Sequence, residues 1–293
     1  MKKILALLAA AALMATTFAF AGCEKKADDA ENNEVEVEVE GEVEDEATAD
    51  EENKASEEVA TEDEAVAEEK EEGKLVMGTN AYFQPYEYYE GDKIVGIDAE
   101  IAAAIAEKLG LELVIEDMEF GAIIAAVQSG AVDMGMAGMT VTEERLESVD
   151  FSYSYANGVQ SIIVAEGSPI ATVDDLYAEG ASYKVGVQLA TTGDIYSSDD
   201  FGEDNVVRYS NGSEAVLALK GGDVDCVIID NEPAKALVAA NEGLVLLETS
   251  YADEDYAICV KKGNTELLDA INLAIEELTA EGKIEEIVAK YIK

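Results

Sequence analysis

A pattern of 13 residues occurs twice in this chain and constrains its possible folds more than any other feature. Residues 126–138 read AVQSGAVDMGMAG, and residues 218–230 read ALKGGDVDCVIID, in register without a gap. Each copy contains the end of a helix, a glycine turn, a Val-Asp pair and an apolar strand. The repeat predicts two lobes of similar construction, in which Gly138 and Asp230 occupy equivalent places at the carboxyl ends of strands.

Strand-like and helix-like segments alternate around the repeat, from residue 74 to about residue 250. One helix of period 3.6 lies between Asp98, which is placed to cap it, and Gly110, which is placed to end it. The chain then ends on two amphipathic helical stripes. The sequence therefore predicts an α/β fold with mostly parallel sheets flanked by helices, and a ligand site in a cleft between the lobes.

Charge divides the chain and excludes several classes of function. The 65 acidic residues outnumber the 19 basic ones and give a net charge of −46, which excludes a nucleic-acid binder. The absence of histidine excludes Ser-His-Asp and Cys-His catalysis and histidine metal sites. Residues 24–73 hold 24 acids against 4 lysines and no aromatic residue, so we expect a disordered, extended tether there.

The first 22 residues have the parts of a secretory signal: Lys2 and Lys3, an uncharged apolar run, and small residues before Cys23. The run is short for a membrane-spanning helix. Cys23 by itself could be a buried thiol or a disulfide partner. The segment resembles a bacterial lipoprotein signal, although Phe20 stands where leucine is usual. That resemblance implies a signal peptide over 1–22 and a lipidated Cys23 that begins the tether over 23–73.

Two charged residues stand out as candidate ligand contacts. Arg145 follows Gly138 by seven residues, near a predicted helix start at Thr142, and its planar guanidinium suits a carboxylate. A surface ion pair with the neighbouring glutamates explains its spacing equally well. Asp230 ends an apolar strand and could accept a hydrogen bond from an ammonium group, or could simply cap the following helix.

Two further segments offer polar and aromatic groups. Residues 188–193, Gln-Leu-Ala-Thr-Thr-Gly, follow a strand and could bind an anion through hydroxyl and N–H groups, or form an ordinary turn. An aromatic cluster between Tyr82 and Tyr89 follows the first strand, and we expect most of its members in the core and one or two in a pocket. Cys226 and Cys259 lie in apolar strands and are predicted to be buried free thiols without a disulfide.

Taken together, the motifs resemble the extracytoplasmic amino-acid-binding proteins of ATP-binding-cassette importers, the family 3 or type II periplasmic binding proteins. The resemblance spans about residues 74–293. It is carried, in order, by Gly78-Thr79-Asn80 with Pro85-Tyr86-Glu87, Gly96-Ile97-Asp98 to Leu109-Gly110, Gly138-Met139-Thr140 with Thr142-Glu143-Glu144-Arg145, Val149-Asp150-Phe151-Ser152, Val185-Gly186-Val187-Gln188 with Thr191-Thr192-Gly193, and Val224-Asp225 to Asp230.

This resemblance implies a two-lobed fold with two hinge crossings near residues 155–159 and 254–258. Lobe 1 would comprise residues 74–156 and 257–293, and lobe 2 residues 157–256. The lobes would close on an amino acid and deliver it to the importer's permease subunits. It implies an extracytoplasmic monomer held at the cell membrane by its lipid, with no metal, cofactor or nucleic-acid partner.

The family's ligand contacts can be transferred to matching positions of this chain. Arg145, the Thr140 backbone and Thr192 would bind the α-carboxylate. Asp230, the Gly138 carbonyl and Thr140 would bind the α-ammonium. The ligand side chain would lie between Phe83 and Phe120 and near Asn80 and Gln188. Asn80 stands where many members have aspartate, which favours a neutral polar amino acid.

Two alternatives remain on the same fold. A dehydratase acting on cyclic dicarboxylates would bind a substrate without an ammonium group, so Asp230 and the Thr-Thr-Gly segment argue against it. A sensory receptor is usually fused to a membrane helix and an output domain. The sequence stops at residue 293, after its last predicted helix, so we expect that a signalling role would need a separate partner.

Overall fold

The computed structural model describes residues 73–292. The predicted signal peptide, Cys23 and the acidic tether lie outside the described residues, so those predictions stay untested. Within 73–292 the strands, labelled in chain order, are β1 Lys74–Thr79, β2 Tyr82–Phe83, β3 Glu87–Glu90, β4 Lys93–Val95, β5 Glu112–Asp117, β6 Met134–Gly135, β7 Val149–Ala165, β8 Val185–Gln188, β9 Val206–Tyr209, β10 Cys226–Asp230, β11 Leu244–Leu246 and β12 Ala252–Lys261.

The helices of the described part follow the apolar periodicity of the sequence. They are α1 Ile97–Leu109, α2 Ile123–Ser129, α3 Glu143–Ser148, α4 Thr192–Phe201, α5 Gly212–Gly221, α6 Asn231–Ala240, α7 Thr265–Ala280 and α8 Lys283–Tyr291. In α1, Ile97, Ile101 and Ile105 recur every four residues and are completely buried. Gly110 ends this helix in the left-handed conformation, with φ at 71°.

The predicted role of Asp98 as a helix cap is wrong. Helix α1 begins one residue earlier, at Ile97, and its N-cap is Gly96, which has no side chain. The Asp98 side chain is completely buried and accepts hydrogen bonds from the Gly138 backbone N–H and the Tyr155 hydroxyl. A carboxylate this deep in the protein is stabilised by donors from other elements instead of the free N–H groups of its own helix.

The main sheet has nine strands in the order β5-β1-β6-β12-β7-β10-β8-β9, with β11 paired to β7. Strands β1, β5 and β6 are parallel, as are β8, β9 and β10. The long strands β7 and β12 run antiparallel to each other and to their neighbours, and they join the two parallel groups. The prediction of a mixed α/β fold is confirmed, but the main sheet has four parallel and four antiparallel pairings instead of being mostly parallel, because β7 and β12 join the two parallel groups into one continuous hydrogen-bonded sheet.

The buried side chains form two groups on either side of these crossing strands. Two apolar clusters draw on residues 75–155 and 256–287, and two others draw on residues 162–244. Phe83 packs against a cluster of each group. The exact lobe boundaries, at 156/157 and 256/257, stay a prediction.

Candidate functional site

A cavity lies where the two groups of elements face each other, a common place for small-molecule sites. All nine residues that the sequence analysis predicted to contact the ligand line this cavity. They are Asn80, Phe83, Phe120, Gly138, Thr140, Arg145, Gln188, Thr192 and Asp230. These residues come from five separate stretches of chain that the sheet topology places at one edge.

Arg145 is buried in the cavity wall instead of lying on the surface. Its helix α3 is capped by Thr142, whose hydroxyl accepts a hydrogen bond from the Arg145 N–H. The guanidinium donates from Nη1 to the Thr140 carbonyl at 2.7 Å and from Nη2 to the Ala190 carbonyl at 3.1 Å. The alternative of a surface ion pair with neighbouring glutamates is therefore wrong, because the side chain is only 6% exposed and bonds to carbonyl oxygens.

The Arg145 guanidinium also lies over the Phe120 ring, 5.4 Å from the ring centre. Burial lowers the pKa of Arg145 from its ordinary value, and the nearby Glu254 carboxylate acts in the opposite direction. An arginine so placed remains charged at neutral pH. It is a positive group held in position by carbonyl contacts and able to bind an anion that enters the cavity.

The turn before helix α4 is strained and contacts Arg145. Ala190 has a positive φ of 65°, which is uncommon for a residue with a Cβ, and its carbonyl accepts from Arg145. Thr191 caps the helix, because its hydroxyl accepts from the Asp194 N–H. Thr192 is buried and lines the cavity. The segment is thus both a structural turn and a wall of the site.

Asp230 combines both roles considered from the sequence. Its Oδ1 caps helix α6 by accepting from the Glu232 N–H at 3.1 Å. Its Oδ2 accepts from the Val159 N–H at 2.9 Å and from the Tyr256 hydroxyl at 2.6 Å. Burial raises the pKa of Asp230 to about 6, against these hydrogen bonds, which lower it. The cavity therefore holds an anion-binding group and a cation-binding group.

Asn80 and Gln188 contact each other across the cavity. The Gln188 amide donates to Asn80 Oδ1 at 2.9 Å, and Asn80 in turn donates to the Met118 carbonyl at 2.8 Å. Phe83 is stacked on Tyr86 with ring centres 5.7 Å apart and lines the same cavity. Of the five members of the aromatic cluster, only Tyr86 is buried, while Tyr82 and Tyr89 are exposed. The expectation that most of the cluster would lie in the core is therefore wrong.

Three acidic or amide residues of the cavity were not predicted from the sequence: Glu87, Gln160 and Glu254. All three are buried. Gln160 donates to Glu254 Oε2 at 2.9 Å, which links the crossing strands β7 and β12. Glu254 lies in an acidic run with exposed neighbours, so only its place in the alternation of β12 distinguishes it. Gln160 lies between Val159 and Ser161 in β7, before the apolar run over 162–165, so no local pattern distinguishes it.

Cys226 and Cys259 are buried free thiols, as predicted. Burial raises the pKa of both thiols to about 12. Thiols so strongly protonated are poor nucleophiles, which is consistent with a packing role.

Residues 75–293 match the family described as bacterial extracellular solute-binding proteins, family 3. An arginine-binding extracellular protein of Bacillus subtilis (strain 168) is 34% identical over 224 residues, covering 74% of this chain and 86% of that protein. An ABC transporter glutamine-binding protein of the same strain is 33% identical over 229 residues, covering 76% of this chain and 83% of that protein.

Solved structures agree with this match. Two structures of ancestral arginine-binding proteins, one bound to glutamine and one to arginine, each have a TM-score of 0.70 at 40% identity. They cover 75% of this chain and 98% or 99% of their own. An arginine-bound substrate-binding protein of an amino acid ABC transporter from Streptococcus pneumoniae has a TM-score of 0.69 at 32% identity, covering 75% and 94%.

The fold and the cavity define a two-lobed solute-binding protein of the type II periplasmic class. The chain belongs to family 3 of the bacterial extracellular solute-binding proteins. The family and these relatives are binding proteins of transporters. Among residues 73–292, no helix is both long enough and apolar enough to cross a membrane.

Proposed function

We propose that this protein captures a free α-amino acid between its lobes through the opposed charges of Arg145 and Asp230. The chain is the substrate-binding component of an ATP-binding-cassette amino-acid importer. An amino acid is a zwitterion, and each of its charges needs a buried partner of opposite sign. The observation that supports the proposal is the presence of a buried arginine and a buried aspartate in the walls of one cavity.

The roles proposed for individual residues follow the resemblance and fit the observed contacts. Arg145, with the Thr140 backbone and Thr192, binds the α-carboxylate. Asp230, with the Gly138 carbonyl and Thr140, binds the α-ammonium. Phe83 and Phe120 enclose the side chain of the ligand. Phe120 also supports the guanidinium, so its removal would affect both the carboxylate and the side-chain contacts.

A neutral polar side chain is the primary proposal for the ligand. The far end of the cavity presents the amides of Asn80 and Gln188, which carry no charge and already bond to each other. A ligand amide can replace that mutual bond, since amides both donate and accept. The ancestral protein with bound glutamine supports this choice.

A second candidate is a cationic amino acid, and one specific observation favours it. Glu254 Oε1 and Gln160 Oε1 both line the cavity, are buried, and accept no hydrogen bond from the described residues. Buried acceptors without a donor are costly, so a donor on the ligand would stabilise them. A carboxylate in this place gains most from a positively charged donor. The arginine-bound relatives are consistent with this choice.

A thermal-shift screen of the twenty amino acids and cystine tests the proposal, because a ligand bound only by the folded state raises the melting temperature. Amides and other neutral polar amino acids should give the largest shifts if the primary proposal holds. If the second candidate holds, the largest shifts should come from arginine and lysine, or from ornithine when it is added to the screen. No shift with any amino acid, and no binding by calorimetry, would contradict both.

Glu254→Gln separates the two ligand classes, with Asp253→Asn as the matched control on the exposed side of the same strand. Loss of the Glu254 charge should weaken a cationic ligand by about tenfold or more and affect a neutral ligand much less. Asp253→Asn should leave affinity unchanged.

We also propose that the protein has no catalytic activity. A dehydratase on this fold would consume prephenate, so unchanged prephenate absorbance after mixing with the protein supports a pure binding role. A fall in absorbance would revive the enzyme hypothesis. A separate signalling partner, as a receptor would need, should be detectable by co-purification.

The proposed location is the outer face of the cell membrane, with the protein held as a monomer by lipid on Cys23. Two or more acyl chains anchor stably, whereas one chain binds only marginally. Cys23→Ser should therefore release the protein into the medium of a Gram-positive host or the soluble periplasm of a Gram-negative one. Retention of this variant in the membrane fraction would contradict the lipid anchor.

A further inference from the structure

Glu87 and Asp98 form a buried carboxyl pair behind the cavity that the proposed ligand contacts do not use. Glu87 lies in β3, is 1% exposed, and lines the cavity. Asp98 lies in the first turn of α1 and is completely buried. The Asp98 backbone N–H donates to the carbonyl of Tyr86, the residue before Glu87, at 2.9 Å, and the charge of Asp98 acts on the Glu87 carboxyl. The pair therefore links helix α1 to the small sheet that strands β2, β3 and β4 form.

The donors around the pair are unevenly divided. Asp98 Oδ2 accepts from the Gly138 N–H at 2.9 Å and from the Tyr155 hydroxyl at 2.8 Å. Asp98 Oδ1 and both oxygens of Glu87 accept from no N–H or O–H group of the described residues. A buried carboxylate without donors is costly, and a second carboxylate beside it adds repulsion. A proton on one of the two carboxyls removes both costs, because a protonated carboxyl can donate a hydrogen bond to the other.

The proton belongs on Glu87. Asp98 has two strong donors, which stabilise its anion, whereas Glu87 has none. Burial raises the pKa of Glu87 well above its usual range, and the adjacent Asp98 raises it further. Burial raises the pKa of Asp98 to about 6, against the hydrogen bonds of Gly138 and Tyr155.

The remaining titratable groups nearby favour the same arrangement. Tyr86, Tyr155 and Asp230 lie near the pair, and Arg145 and Glu254 line the same cavity as Glu87. Burial raises the pKa of both tyrosines, so these hydroxyls stay neutral, and the negative Asp230 raises the pKa of Glu87 further. Within residues 73–292, neither carboxyl forms an ion pair with a lysine or arginine.

The pair bears directly on the geometry of the ligand site. Gly138 lines the cavity with a positive φ of 52°, and its N–H is held by Asp98. A Cβ at this position would lie 2.8 Å from the Phe83 ring, so the backbone here passes close to a second cavity residue. In β2 and β3, Phe83 is also the register partner of Glu87. A shift of the carboxyl pair would thus move both Gly138 and Phe83.

We propose that Glu87 is a positioning residue that keeps a proton at neutral pH and, through Asp98, holds Gly138 and Phe83 in the geometry that amino-acid binding requires. This inference rests on the proposed function for its link to affinity, but the bound proton can be tested without any ligand. The competing view is that Glu87 is ionised and contacts a positive group of the ligand directly.

Three variants separate these views: Glu87→Gln, Glu87→Ala and, as a control, Glu90→Gln on the exposed end of the same strand. The amide of Glu87→Gln can donate to Asp98 as the protonated acid does, so its affinity for the ligand found by screening should stay within about threefold of wild type. Glu87→Ala leaves Asp98 Oδ1 without a donor and should weaken binding by about tenfold or more. Weak binding by Glu87→Gln, equal to that of Glu87→Ala, would overturn the proposal in favour of an ionised Glu87.

Infrared spectroscopy tests the proton directly. At pH 7 the wild type should show the carbonyl absorption of a protonated carboxyl group, and Glu87→Gln should lack it. Glu90→Gln should keep it. Absence of this absorption in the wild type overturns the proposal. If the absorption is present but no amino acid binds, the bound proton on Glu87 is supported and the proposed amino-acid binding is contradicted.

The pH dependence of stability gives a second ligand-free measurement. A folded-state pKa above the unfolded one contributes stability at low pH that is lost as the pH rises through the folded value. The urea midpoint of the wild type should therefore fall relative to that of Glu87→Gln between pH 5 and pH 9. Parallel profiles for the two proteins would overturn the proposal.

Discussion

Arg145 supplies the positive charge of the binding cavity, and its environment explains why a single arginine suffices there. The guanidinium is buried, bonded to two backbone carbonyls and stacked over Phe120, so it is held in place before any ligand arrives. In a chain with a net charge of −46, an incoming carboxylate gains little from long-range attraction. Capture must therefore depend on local contacts.

Replacing Arg145 by alanine should abolish amino-acid binding while the protein still folds. The ligand carboxylate would be buried without a partner, at a cost of about 3–5 kcal/mol, or at least a hundredfold in affinity. Calorimetric titration measures the effect. Lys283→Ala is the control, because Lys283 pairs with Glu286 on helix α8, away from the cavity. Affinity near that of wild type in Arg145→Ala would exclude the proposed carboxylate contact.

Asp230 should make amino-acid affinity depend on pH. Its pKa in the ligand-free protein is raised to about 6 by burial, and the ligand ammonium needs the ionised form. Below pH 6 the carboxylate must lose a proton before binding, so the dissociation constant should rise by about tenfold per pH unit. Calorimetry between pH 5 and 8 measures this slope. In Asp230→Asn affinity should be low and this dependence absent, and an unchanged slope there would assign it to another group.

The two crossing strands are the elements on which the site depends most. Strand β7 and strand β12 pair with each other across both halves of the core, and they contribute Gln160, Glu254 and Tyr256 to the cavity. Gly158 lies under the Tyr256 ring, where a Cβ would be only 2.4 Å from the ring. The absence of a side chain at Gly158 allows Tyr256 to reach Asp230.

Gly158→Ala should therefore displace Tyr256 and break its hydrogen bond to Asp230. Overpacking of this kind costs about 1–3 kcal/mol of stability. A loss of affinity of about tenfold should accompany it, because Asp230 loses a donor. Urea unfolding and calorimetry measure the two effects. Gly221→Ala, where the nearest contact of a Cβ is an ordinary 3.5 Å, should change neither; equal effects in both variants would argue against the Tyr256 contact.

At the scale of the whole molecule, the two halves of the core contact each other through polar groups of the cavity. Arg145 donates to Ala190, Gln188 donates to Asn80, and in each pair the residues come from opposite halves. Each of these hydrogen bonds contributes little free energy in water, at about 0.5–1.5 kcal/mol. A ligand that bonds to both halves adds to this small total and can shift the balance toward a closed form.

Addition of the ligand should thus make the protein more compact, which small-angle X-ray scattering measures as a lower radius of gyration. The hinge crossings proposed near residues 155–159 and 254–258 would permit this motion. Arg145→Ala should show no compaction at the same ligand concentration. Identical scattering of the wild type with and without saturating ligand would argue against lobe closure.

The sequence by itself determined the fold class and the set of chemical groups at the site. Apolar periodicity and glycine turns are local properties, so α1, α7 and the repeated turn-strand units could be read directly. Nine cavity residues could be named because the motifs of the chain resemble those of a known family, whose ligand contacts were transferred to the matching positions. The family match confirms the class of protein that those motifs indicated.

Only the tertiary structure decided how those groups are used. Asp98 has the local pattern of a helix cap, but its partners are Gly138 and Tyr155, 40 and 57 residues away in the chain. Glu87 lies among tyrosines and Glu254 lies in an acidic run, and it is their burial in the folded protein that sets both apart. Burial and hydrogen-bond partners of a polar group depend on elements distant in sequence, which is why no local pattern could assign Arg145 to the cavity or a proton to Glu87.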